Sequence, residues 1–112
     1  MCKEVVRINE DMRIKLERYI VREGLHKYSV KFAKIASFII KDWIDNPVLD
    51  KSKIIYGTAN EPRTRRVTIY LTDDEYIKFY EIFVSDYVRD CRTPSILIYN
   101  IIKQFIEEKE LD

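Results

Sequence analysis

Glycine and proline are scarce in this chain. It has two glycines and three prolines among 112 residues. Few natural breakers mean long stretches able to form regular structure, and no Gly-rich loop able to cradle a phosphate. Histidine occurs once, as His26, which reads as a turn residue. The two cysteines, Cys2 and Cys91, lack metal-ligand spacing and read as reduced thiols of a cytoplasmic protein. No nucleophile motif or ligand cluster is present, so the expectation is no enzyme, no metal, no cofactor and no small-molecule substrate. No apolar run reaches the length of a membrane span, and Met1 is not followed by a signal-peptide core, so no membrane partner is expected.

What is abundant is apolar and charged residues, at 46% and 35% of the chain. That composition suits a real core and excludes wholesale disorder. Heavy use of Ile, Lys, Glu and Tyr suits a thermophilic source. The net charge of +1 hides a gradient. Residues 1–44 hold ten Lys/Arg against six Asp/Glu, while residues 65–112 hold seven against ten. A basic first half fits a polyanionic partner. The acidic end, Glu107 to Asp112, reads as a solvated helix terminus.

The chain also repeats itself. Val6-Arg7-Ile8-Asn9-Glu10-Asp11 and Ile69-Tyr70-Leu71-Thr72-Asp73-Asp74 share a pattern at an offset of 63 residues. Ile14, Lys15 and Val21 match Ile77, Lys78 and Val84 at the same offset. Ile39 to Ile44 matches Ile101 to Ile106 at an offset of 62, one deletion away. The organisation is therefore a first unit over 1–44, a connector over 45–64 and a second unit over 65–112, sharing one core. A unit this small cannot bury its apolar face alone.

Each unit reads as strand, helix, turn, helix. In the first, residues 3–9 alternate as a strand, with Val6 and Ile8 on one face. Asn9 caps a helix running to about Glu23, with Met12, Leu16, Tyr19 and Ile20 as its buried stripe. Gly24 follows at the left-handed position. Ser29 caps a second helix that buries Phe32, Ile35, Ala36, Ile39, Ile40 and Trp43, and Asn46-Pro47 stops it. In the connector, Ile54-Ile55-Tyr56 reads as a short extended patch able to dock. In the second unit, Val67, Ile69 and Leu71 line one face of strand 66–72. Thr72 to Glu75 is a capping box, opening a helix to about Arg89 whose core stripe reads as Tyr76, Phe79, Tyr80, Phe83 and Tyr87. Thr93 or Ser95 caps the last helix, with Pro94 in its first turn and Ile98, Ile101, Ile102, Phe105 and Ile106 facing the core.

A lone strand has no partner in its own unit, and a buried unpaired edge is costly. The repeat supplies the partner. Strands 3–9 and 66–72 can pair antiparallel, apolar faces down on four helices and polar faces out. The expected fold is mainly α with one short antiparallel two-stranded β-ribbon.

Two such units in order resemble the ribbon-helix-helix family, the group of the Met and Arc repressors. Here the two copies would be fused into a single-chain, intramolecular pseudo-dimer. Tandem regulators of this type from archaeal viruses look similar in size and composition. The resemblance implies a sequence-specific regulator of transcription that inserts its ribbon into the major groove of double-stranded DNA. It implies base contacts from Lys3, Val5 and Arg7 on the first strand and from Arg66, Thr68 and Tyr70 on the second. It implies phosphate contacts at the start of each unit's second helix, from Lys27, Ser29, Val30 and Lys31, and from Arg92, Thr93, Ser95 and Ile96. The setting would be the cytoplasm, that of a host if the protein is viral.

The alternative is a protein–protein interaction module of antitoxin type. The short tail after Phe105 and the internal position of the connector argue against it. Self-association, as a homodimer or higher assembly on DNA, is also expected. The helix over 73–89 carries Ile77, Val84 and Val88 outside its core stripe, and a helix apolar nearly all round is normally covered on two sides.

Overall fold

A computed structural model describes residues 2–24, 32–55 and 65–109. Strand β1 (Cys2–Ile8) pairs antiparallel with β2 (Arg65–Leu71), and these two strands are the whole sheet among the described residues. Helices α1 (Glu10–Arg22) and α2 (Phe32–Asp45) follow β1. A 3₁₀ turn spans Lys51–Lys53. After β2 come α3 (Asp73–Ile82), a π turn (Phe83–Tyr87), α4 (Val88–Cys91) and α5 (Pro94–Glu108). The molecule is mainly helical, with one short ribbon.

Caps set the helix starts. Asn9 Oδ1 accepts from the Met12 N–H at 2.8 Å. Thr72 and Glu75 make a reciprocal capping box at the head of α3. Of the two candidates for α5, Thr93 is the cap: its Oγ1 accepts from the Ile96 N–H. Gly24 takes a φ of +71° after α1, as a left-handed C-terminal residue should. The helical run after β2 continues past Arg89 to Cys91, and Arg92 takes a φ of +68° without being glycine.

The ribbon's inner face and the helices form one buried cluster drawn from both halves of the chain. Val6, Ile8, Val67, Ile69 and Leu71 are all but inaccessible. Beneath them lie Met12, Leu16 and Ile20 of α1, Ile35, Ala36, Ile39 and Ile40 of α2, and Leu97, Ile98 and Ile102 of α5. The side chain of Phe32 lies outside the described residues, as do the expected turn at 25–28 and the Ser29 cap. One expected core residue is displaced. Tyr80 is 45% exposed and stacks on Tyr76. The buried line of that helix is instead Phe79, Phe83 and Tyr87, and Trp43 of α2 meets both Phe79 and Tyr87. The hydroxyl of tyrosine tolerates the water that Phe79 and Phe83 cannot.

The connector is tied down by two amides one helical turn apart on α5. Asn100, fully buried, accepts from the Ile55 N–H at 2.8 Å and donates to the Ile55 carbonyl at 2.9 Å. Gln104 does the same to Asp50, at 2.9 Å for both bonds. Each amide thus mimics a neighbouring strand. Ile54 packs against the core beside them.

Candidate nucleic-acid interface

The ribbon's register decides which side chains stand together. Lys3 lies opposite Tyr70, Val5 opposite Thr68 and Arg7 opposite Arg66. These six are the outward positions, and none of them is buried. The inward positions alternate with them and anchor the ribbon through the buried residues above. All six expected base-contacting residues therefore share one solvent-facing surface.

The outer edges of the ribbon are pinned as well. The Tyr70 N–H donates to Ser37 Oγ of α2 at 3.0 Å. Ser95 Oγ of α5 donates to the Val5 carbonyl at 3.1 Å. Each edge is held by one serine, so the ribbon cannot lift from the helices without breaking these bonds. Glu4, which occupies an inward position, is half-buried and accepts from the Tyr76 hydroxyl at 3.0 Å. Burial first, and then Glu4, push the Tyr76 hydroxyl above its ordinary range.

The two ends of the surface differ. At one end Lys3 Nζ lies 5.6 Å from the centre of the Tyr70 ring, a cation–π distance. At the other, Arg7 and Arg66 are direct partners, and exposed Arg65 follows opposite Ile8. Arg65 has the strand phase of buried Val67, Ile69 and Leu71, so it leaves the ribbon on the helix side and not with the outward pair Arg7 and Arg66. Glu10 lies near this end. Its carboxyl is held below the usual range chiefly by Arg13, with Arg65 the smallest contributor.

The start of α5 stands beside the ribbon through the Ser95 bond. Arg92 and Thr93 are exposed, and Ser95 and Ile96 are half-buried. Pro94 has no N–H, and the Ile96 N–H is already taken by Thr93. That leaves the Ser95 N–H as the first-turn donor still able to meet an anion. Lys27, Ser29, Val30 and Lys31 lie outside the described residues. Among the described residues no cluster of metal-ligating side chains occurs, and no helix is long and apolar enough to cross a membrane.

No family model, curated protein or solved structure matches this chain.

Proposed function

We propose that the chain binds double-stranded DNA by laying its ribbon in the major groove, and so regulates transcription. The observation that carries this reading is the Arg7–Arg66 pair. Like charges directly opposite each other destabilise a ribbon. Here two arginines are partnered on an exposed face, with Lys3 at its other end. A polyanion removes that repulsion and gains from it. Seven residues per strand span about 23 Å, and a two-stranded ribbon fits the width of the major groove.

The register supports the further reading that the two halves act as the two subunits of a dimer. Val5 and Thr68 are equivalent by the 63-residue repeat, and they are also cross-strand partners. A twofold axis through a dimeric ribbon makes its central residue pair with its own copy. The same arithmetic makes Arg7 equivalent to Tyr70 and Lys3 equivalent to Arg66. The arginine end and the tyrosine end are thus chemically different, and the preferred subsite is not a palindrome.

Selection from a randomised duplex pool, followed by salt titration of the selected site, tests the proposal. The expected result is an asymmetric consensus, with affinity falling steeply as salt rises. Absence of duplex binding even at low salt overturns it.

A further inference from the structure

The second unit lacks a glycine where the first ends its helix. At the 63-residue offset Gly24 corresponds to Tyr87. Helix α1 stops at Arg22, and the chain turns at Gly24. The helical run after β2 instead passes through the π turn at Phe83–Tyr87 and the four residues of α4 before Arg92 turns the chain. A π turn is a poorer arrangement than an α-helix, and four residues do not hold a helix by themselves. From the inside this segment is held by Tyr87 and Cys91, both buried, with Tyr87 packed on Trp43.

From the outside it is held by Lys51, in the 3₁₀ turn of the connector. Lys51 Nζ donates to the Asp86 carbonyl of the π turn at 2.8 Å. It also lies 3.4 Å from Asp90 Oδ2 on α4 and 5.1 Å from the centre of the Tyr87 ring. One ammonium group thus joins the π turn to α4. The neighbouring Asp50 is bonded through its N–H and carbonyl to Gln104 of α5. Lys51 is therefore anchored on one helix and holds the segment that precedes it. The hold is moderate. Lys51 and Asp90 both reach solvent, where an ion pair adds little, and the charge-assisted bond to a carbonyl adds more. A hold of this size opens locally without unfolding the whole protein.

What Lys51 holds leads to the ribbon. Helix α4 runs directly into Arg92, into Thr93 that caps α5, and into Ser95, whose hydroxyl donates to the Val5 carbonyl on the ribbon's edge. We propose that Lys51 is a positioning residue: its ammonium latches the π turn and α4, and so sets the corner between α4 and α5 that grips the ribbon. When the latch opens, α4 loosens, Cys91 is uncovered and Ser95 loses its alignment with Val5. That corner is also a duplex contact in the function proposed above. The effect on DNA rests on that reading; the latch itself does not.

Thiol labelling of native full-length protein tests the latch, in a Cys2→Ser background where Cys91 is the sole cysteine. Lys51→Met should speed labelling of Cys91 about tenfold. Lys51→Arg, which keeps the charge, should stay near the parent. Lys103→Met, which breaks the Lys103–Glu107 ion pair of α5, should change nothing. Added salt should bring the parent towards the rate of Lys51→Met and leave that variant unmoved. This salt response decides the matter alone if Lys51→Met loses its circular-dichroism signal. Duplex affinity of Lys51→Met should fall about threefold, with the salt slope unchanged because Lys51 itself touches no phosphate. Labelling of Lys51→Met as slow as the parent overturns the latch. So does equally fast labelling in Lys51→Arg or Lys103→Met, or a parent indifferent to salt. Fast labelling with undiminished duplex affinity overturns the link to the ribbon. A parent that binds no duplex overturns the DNA reading, and labelling then still decides the latch.

Discussion

Arg7 and Arg66 are cross-strand partners on the open face of the ribbon. Two guanidinium groups facing each other there weaken the strand pair and strengthen the surface as an anion receptor. Arg7→Ala should therefore leave the fold intact, raise its stability slightly at low salt, and cost about 1–3 kcal/mol of specific duplex binding. Urea unfolding and a binding titration on one preparation check both signs. Loss of stability together with affinity would point to a structural role instead.

Asn100 is the polar centre of the core. It is fully buried and also donates to the Ile96 carbonyl of its own helix at 2.9 Å. Asn100→Leu should destabilise the protein by about 2–3 kcal/mol, because the Ile55 N–H and carbonyl lose their partner. Hydrogen exchange at Ile55 should rise with it. Gln104→Ala removes the same pair of bonds at a half-exposed position and should cost less.

Cys91 predicts a pH dependence. Burial, then Asp90, push its thiol up to about 11 from an ordinary value of 9.0. Below pH 9 the thiol is neutral in both states and stability is unaffected. Between the two values the unfolded chain releases the proton and the folded chain does not. Stability should therefore fall as pH rises from about 9 towards 11. The Tyr87 hydroxyl, also held up by burial, adds the same sign above pH 10. Cys91→Ala should show a shallower decline in chemical unfolding across this range. At neutral pH a thiol reagent should label Cys2 first and Cys91 only on unfolding.

Arg92 carries a left-handed backbone on a non-glycine residue. Arg92→Gly should raise stability by about 0.5–1 kcal/mol, the relieved strain exceeding the entropy added to the unfolded chain. If Arg92 also grips phosphate, the same variant should lose duplex affinity and reduce its salt slope by about one. Gly24→Ala is the converse test. A Cβ there meets nothing within 4 Å, so the expected loss of about 1 kcal/mol comes from backbone conformation alone. Thermal unfolding of both variants reads the two signs.

The sequence by itself determined the elements whose interactions are short in chain distance. Asn9 caps Met12 and Thr72 caps Glu75, each three residues away, while the last helix offered both Thr93 and Ser95 and the structure uses Thr93. The alternation of Val6 and Ile8, and of Val67, Ile69 and Leu71, sorted ribbon residues into an inner and an outer face. A repeating period is written in spacing, so it can be read without coordinates. Strand ends were displaced by one residue, because the last pairs depend on the partner strand.

What only the tertiary structure decided depends on contacts between distant residues. The register that sets Arg7 against Arg66 joins positions 59 apart. Asn100 is a polar residue among apolar neighbours, and it is buried because Ile55 offers it a backbone N–H and carbonyl from 45 residues away. Tyr80 and Phe83 look alike in a pattern of aromatics; Phe83 is buried and Tyr80 faces water. The π turn at Phe83–Tyr87 has no local sequence mark, and it lies where Tyr87 packs on Trp43 of the other half. Hydrophobic burial is non-directional, so periodicity names the face to be covered while packing alone selects what covers it.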